Sequence, residues 1–260
     1  MPLRGQTVLI TGASSGIGAA TALALAGKGA RLLLTARRED RLKAVAEDVR
    51  AAGGRASVYP ADLADAPAVA RMAAGVRADA GVPDVLINNA GAGRWLPLLE
   101  TSPDDARRMI EVPYLAALYV TREFLGDMVK RGSGHLVNVT SPASFLAWPN
   151  ACGYIAARHA LRGFTEALRA ELRGTGLHVT LVVLGKVASS YWTHNPGSEE
   201  KAPKVVSLLA RDLTTDEAAS AIVEGLERRR RQIVKPAIYR LLMSRYVPAW
   251  VTGTMAGWPG

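Results

Sequence analysis

Cysteine is nearly absent: Cys152 is the one thiol in 260 residues. That excludes an intrachain disulfide and a cysteine-rich zinc site, and it fits a reducing compartment. Uninterrupted apolar runs stay below the ~18 residues of a membrane span. The run at 7–10 is far too brief for a secretory leader. His, Cys and carboxylate spacings build no metal cluster, so no metal is expected, and the chain reads as soluble and cytoplasmic. Acidic residues are in deficit, 23 against 32 Lys and Arg for a net +9, which favours an anionic partner. Aromatics are only 6% and scattered. Without a recognition motif, the charge alone does not indicate nucleic acid.

What is present is alternation. Short runs rich in Val, Ile and Leu at 7–10, 31–35, 56–59, 85–88, 135–140, 178–184 and 232–234 read as strands buried on both faces. Amphipathic stretches at 19–27, 38–52, 67–80, 104–129, 154–173 and 216–229 read as helices between them. Such alternation implies right-handed crossovers and an α/β fold: one doubly wound, Rossmann-type parallel sheet of about seven strands with helices on both faces. No linker, repeat or low-complexity tract appears, so residues 1–260 read as a single domain. Its irregular parts are a substrate-side loop, 185–213, and a C-terminal tail, 235–260.

The first strand runs into Thr11-Gly12-Ala13-Ser14-Ser15-Gly16-Ile17-Gly18. Glycines at a strand-to-helix turn let the backbone approach a pyrophosphate whose charge sits at the helix N-terminus. After the second strand, an acidic residue would grip a ribose 2′-hydroxyl and select NAD. This chain has Arg37 and Arg38 there instead, and two guanidiniums suit a 2′-phosphate. Cations at a helix start are otherwise mildly unfavourable. The expected cofactor is NADP(H).

These segments, with Asp62-Leu63, Asn88-Asn89-Ala90-Gly91, Ser141 and Tyr154, resemble the short-chain dehydrogenase/reductase family, classical type, over roughly residues 7 to 189. The resemblance implies hydride transfer between a nicotinamide and a carbonyl or alcohol. It implies that Asp62 meets the adenine and that the turn holding Asn89, Ala90 and Gly91 steadies the sheet beside the cofactor. Ser14, Ser15, Gly185, Val187 and Ser189 are implied as further cofactor contacts, and relatives commonly form dimers or tetramers. Ser141 precedes Tyr154 by 13 residues, the family spacing. A serine hydroxyl can hold the substrate oxygen while the phenol gives or takes its proton. A free phenol titrates near ~10, so it needs a neighbouring cation to act as a base.

The chain departs from the family where that cation belongs. Tyr154-Ile155-Ala156-Ala157-Arg158 has Arg in place of Lys. Four residues apart, both side chains share a helix face. The guanidinium keeps its charge and could hold ribose hydroxyls, but it cannot release a proton. The family's helix-kinking Asn aligns with Pro113, which can itself bend the helix, and the Pro-Gly after the sixth strand reads Leu184-Gly185. A Ser-Tyr-Arg triad is that of the halohydrin dehalogenases, yet those relatives have lost the glycine-rich turn that this chain keeps. The leading expectation is an NADP(H)-dependent oxidoreductase for an apolar, medium-sized ketone or secondary alcohol, with Ser141, Tyr154 and Arg158 catalytic. Alternatives are a non-redox enzyme using the same triad (dehalogenase-like, isomerase or cyclase) and an NADP(H)-binding protein with impaired turnover.

Remaining features read more blandly. Arg228 to Arg231 suit a solvated helix C-terminus. The stretch 238–247 has helical apolar spacing and could dock on an anionic membrane surface, although such tails more often pack on protein. His159 and His135 read as surface and strand-end residues, and Cys152 as inert packing. Trp95, Trp148, Tyr191 and Trp192 flank the expected mouth, about half of them pointing inward.

Overall fold

The computed structural model describes residues 2–201 and 211–243. Seven parallel strands form one sheet in the order β3-β2-β1-β4-β5-β6-β7. They are β1 (Thr7–Thr11), β2 (Arg31–Thr35), β3 (Arg55–Val58), β4 (Val85–Asn88), β5 (Gly134–Thr140), β6 (Leu177–Leu184) and β7 (Gln232–Lys235). The helices are α1 (Gly16–Ala26), α2 (Glu39–Ala51), α3 (Ala66–Ala80), α4 (Pro103–Ile110), α5 (Ala116–Arg131), α6 (Cys152–Glu171), α7 (Tyr191–His194), α8 (Thr215–Glu227) and α9 (Ile238–Leu242). The α/β, doubly wound fold expected from the alternation is the one observed.

The strands lack polar alternation because both faces are covered. Val8, Ile10, Leu32 and Leu34 pack with Leu25 of α1, Leu42 and Val45 of α2 and Ile222 and Leu226 of α8. Their neighbours Leu9, Leu33, Leu86 and Leu136 point the other way, onto Val69, Met72 and Val76 of α3, Val120, Phe124 and Met128 of α5 and Leu168 of α6. Successive residues thus serve opposite layers. Strand order reverses between β1 and β4. The connections after them leave for opposite faces and open a crevice at the strands' carboxyl ends.

Two elements differ from expectation. The helix expected over 104–129 is three pieces: α4, a π-turn at Glu111–Leu115, and α5. Buried Pro113 sits inside the π-turn, where a residue without an N–H disturbs the helical ladder least. The tail's expected helix, 238–247, is described only as α9. The rest of the tail, and with it the membrane-contact reading, lies outside the described residues. Arg228 to Arg230 are exposed past the end of α8, Arg228 pairing with Glu224 at 2.9 Å. No described helix is long and apolar enough to cross a membrane.

Candidate active site

The crevice is a cleft of about 830 Å³. On its nucleotide side, Thr11 ends β1 and ties the turns after β1 and β4 together. Its Oγ1 accepts from the backbone N–H groups of Asn89 and Ala90, each at 3.0 Å. Asn89 Nδ2 donates back to the Thr11 carbonyl at 3.1 Å. Gly12, at φ +65°, lies so close to the second turn that a Cβ there would meet Ala90 Cα at 2.8 Å. Ser15 precedes α1 without capping it, which leaves first-turn N–H groups suited to an anionic group. Ser14, Ser15, Gly16 and Ile17 line this wall, with Asp62 and Leu63 beyond them and Gly91 opposite. Gly18 does not line it. A Cβ on Gly18 would fall 2.3 Å from the Gly12 carbonyl oxygen, so its role is the close packing of α1 on the turn.

Arg37 and Arg38 line the cleft beyond β2, exposed and without an ion pair among the described residues. Gly185, Val187 and Ser189 close the far side after β6. Val187 forms an isolated parallel bridge with Leu213, which draws the loop's two ends together.

Ser141 follows β5, and Tyr154 lies in the first turn of α6. The Tyr154 hydroxyl donates to Ser141 Oγ at 3.1 Å. Arg158, one turn further along α6, places its guanidinium carbon 4.8 Å from the centre of the Tyr154 ring. It is only 7% exposed. Its Nε has no partner, and no carboxylate pairs with it among the described residues. Gly91 leaves room for it, since a Cβ there would sit 3.0 Å from Arg158 Nη2. A buried, unpaired cation is costly, and oxygen acceptors brought by a ligand would relieve it.

A buried amide network sets α6 against the sheet. Asn88 Nδ2 donates to Asn138 Oδ1 (2.8 Å) and Thr121 Oγ1 (3.0 Å), and Asn138 Nδ2 donates to Thr165 Oγ1 (2.8 Å). It joins β4, β5, α5 and α6, and it fixes the helix that carries Tyr154 and Arg158.

The substrate side is aromatic. Trp95 stands 5.4 Å from the Tyr154 ring, 5.2 Å from Trp148 and 5.8 Å from Trp192. All four flanking aromatics line the cleft, where about half were expected to. The Tyr191 hydroxyl donates to the Gly93 carbonyl at 2.6 Å. Burial first, then charge on nearby Tyr154, pushes the Tyr191 phenol well above its ordinary range, while Arg158 and the Trp95 indole N–H oppose that shift.

Lys186 crosses beneath Trp192, 5.6 Å from its ring, and pairs with Glu199 (2.8 Å) and Asp212 (2.9 Å). These partners raise its pKa, the hydrogen bond to Glu199 most.

Cys152, read as packing, is exposed at the start of α6. His159 is exposed as expected, whereas His135 near the start of β5 is buried against Thr180. Lys186, Leu146 and Tyr239 are among the lining residues that escaped the sequence reading. Tyr239 and Leu242 share a helix face at i, i+3, a spacing that could have marked Tyr239 as inward-facing.

The sequence pattern of the short chain dehydrogenase family matches residues 6–200. An uncharacterized oxidoreductase of Mycobacterium tuberculosis is 37% identical over 244 residues, covering 90% of this chain and 67% of that protein. A metagenomic short-chain oxidoreductase solved with NADP is 34% identical, with a TM-score of 0.72, over 86% of this chain and 91% of that one. A short chain dehydrogenase/reductase from Burkholderia phymatum solved with NAD is 25% identical, with a TM-score of 0.84, over 94% and 93%. By family pattern, relatives and fold together, the chain belongs to the short chain dehydrogenase family of oxidoreductases.

Proposed function

We propose that this chain is a single-domain, NADP(H)-dependent reductase or dehydrogenase of an apolar, medium-sized ketone or secondary alcohol. The observation that carries the reading is the Tyr154–Ser141 hydrogen bond of 3.1 Å, with the Arg158 cation over the same ring, opening on a glycine turn that has no space for a side chain at Gly12 or Gly18. Gly12 and Gly16 would admit the pyrophosphate, and the first-turn N–H groups of α1 would receive its charge. Asp62 and Leu63 would flank the adenine, Arg37 and Arg38 the 2′-phosphate, and Val187 and Ser189 the nicotinamide end. The NADP bound to the metagenomic relative supports the phosphorylated cofactor. The Arg pair after β2 supports it from this chain's own residues.

When bound, the nicotinamide supplies or takes a hydride. Ser141 holds the substrate oxygen by its hydroxyl. Tyr154 delivers its phenolic proton to that oxygen in reduction and accepts it in oxidation. Arg158 opposes the negative charge that develops on the phenol oxygen, and its unpartnered Nε is suited to a ribose hydroxyl. The aromatic wall excludes water and takes the apolar body of the substrate. A dimer or tetramer is part of the same proposal.

Calorimetry with NADPH and NADH, followed by NADPH oxidation with a panel of lipophilic ketones, tests it. Binding followed by oxidation is the expected result. Binding with no turnover on any carbonyl favours a nucleotide-binding protein, and failure to bind either cofactor overturns the assignment.

A further inference from the structure

Residues 91–95, which follow β4, lie against the catalytic pair. A Cβ on Gly91 would sit 3.0 Å from Arg158 Nη2, and one on Gly93, at φ +141°, would sit 2.9 Å from Tyr154 Cδ2. The Trp95 ring adds a third contact, 5.4 Å from that of Tyr154. The path of this segment therefore sets where the phenol and the guanidinium rest. It belongs to no helix or strand, so its backbone polar groups must find partners outside any regular ladder.

Partners come from the loop after β6. The Tyr191 hydroxyl donates to the Gly93 carbonyl at 2.6 Å, and the Trp95 backbone N–H donates to Ser198 Oγ at 3.0 Å. The two anchors belong to one folded piece. Asn195 Nδ2 donates to the Tyr191 carbonyl at 2.8 Å, and the Ser198 N–H donates to the Asn195 carbonyl at 3.2 Å. Ser198 is fully buried and is not part of the cleft's lining. Its hydroxyl acts on the segment after β4 rather than on a substrate.

Building on the carbonyl-reductase reading, we propose that Tyr191 and Ser198 are positioning residues for Tyr154. Acting through Gly93 and Trp95, they hold the phenol within reach of Ser141. The tolerance is narrow. The Tyr154–Ser141 bond is 3.1 Å, already beyond the ~2.7–2.8 Å typical of hydroxyl donors, so little further displacement of the ring breaks it. A misplacement of about 1 Å at the reacting groups can cost ~100-fold in rate. The loop that borders the substrate thus also governs the group that transfers the proton. Its integrity is read in kcat, whereas a loop that merely walls the substrate is read in KM.

The test is the steady-state kinetics of Ser198→Ala and Tyr191→Phe, with NADPH and a lipophilic ketone that the wild type reduces. Ser198→Ala should lower kcat about tenfold or more. It should keep KM within about threefold, and NADPH affinity by calorimetry within about twofold. Tyr191→Phe, which keeps the ring, should show the same split, and it carries the test alone if the buried serine variant fails to fold. A raised KM with kcat retained, or a kcat within about twofold of wild type, overturns the proposal. Should the wild type reduce no ketone, the redox reading fails separately. The positioning is then judged by fluorine NMR of protein carrying meta-fluorotyrosine. The Tyr154 signal, identified by its loss in Tyr154→Phe, should move in each variant that folds, because the ring current of neighbouring Trp95 depends on geometry. A Tyr154 signal that stays in place sinks the proposal.

Discussion

The Arg158 guanidinium sits 4.8 Å from the centre of the Tyr154 ring, buried and paired with no carboxylate among the described residues. A lysine in that place could gain and lose a proton, whereas arginine keeps its charge across the working pH range. On the proposed reading, the site retains the electrostatic half of the Tyr–Lys arrangement and gives up the proton-carrying half. If charge is what the chemistry needs, Arg158→Lys should keep turnover within a few-fold of wild type or raise it. Arg158→Met should lower kcat about 100-fold or more, in the range associated with impaired acid–base catalysis. Steady-state kinetics with NADPH and a reducible ketone decide it. Abolished turnover in Arg158→Lys, with nucleotide still bound, would point to a chemistry specialised for the guanidinium.

The proposed selection of the phosphorylated cofactor rests on Arg37 and Arg38, which line the cleft without an ion pair among the described residues. Charge-assisted bonds to a phosphate are worth about 1.5–3 kcal/mol where desolvated and less at exposed positions such as these. Replacing both with alanine should weaken NADPH about tenfold or more and leave NADH little changed. Calorimetric titration of both cofactors on the same preparation shows whether the loss is confined to the phosphorylated one.

Gly18 offers a purely steric test. A methyl there would fall 2.3 Å from the Gly12 carbonyl and 2.7 Å from Asn89 Nδ2, and a backbone oxygen cannot swing aside as a side-chain end can. Gly18→Ala should therefore destabilise the chain by about 1–3 kcal/mol, as overpacking does. It should also displace the turn that Gly12 holds against Ala90. Thermal melts with and without NADPH separate the effects: the unliganded Tm falls, and the shift produced by NADPH shrinks with it.

Much of this is legible in the sequence itself. Residues such as Leu32, Leu33 and Leu34 announce a doubly covered strand because each layer claims alternate positions. The Gly12–Gly18 turn and the Ser141–Tyr154 spacing survive as sequence because backbone proximity and helix phase leave little choice of residue or position. Pro113 marked the interruption of the 104–129 helix, though not that it would take the form of a π-turn. Other features depend on contacts that no local pattern encodes. Tyr191 lies in a four-residue helix, too short for a period, and its orientation comes from Gly93, 98 residues away in the chain. That Arg158 finds no carboxylate among the described residues is a property of the whole cavity.

His135 supplies a pH signature remote from the chemistry. Thr180 Oγ1 donates to the Arg230 carbonyl at 2.6 Å, so its 2.8 Å contact with His135 Nε2 must be a bond it accepts. The proton therefore sits on Nε2, and Nδ1 is a bare, buried acceptor without a partner among the described residues. Protonating it would bury a cation there. Burial above all, with His178 and Arg229 adding to it, lowers the pKa from 6.5 to about 3. The unfolded chain binds this proton near pH 6.5 and the folded chain only near 3. Stability from the neutral imidazole is therefore fully present above 6.5 and drains as pH falls through that window, at about 1.4 kcal/mol per unit for one proton. His135→Gln can keep a donor toward Thr180 and has nothing to titrate. Between pH 6.5 and 5 its denaturant-unfolding free energy should fall by about 2 kcal/mol less than that of wild type. Identical pH profiles for the two proteins would remove His135 as the source of acid sensitivity.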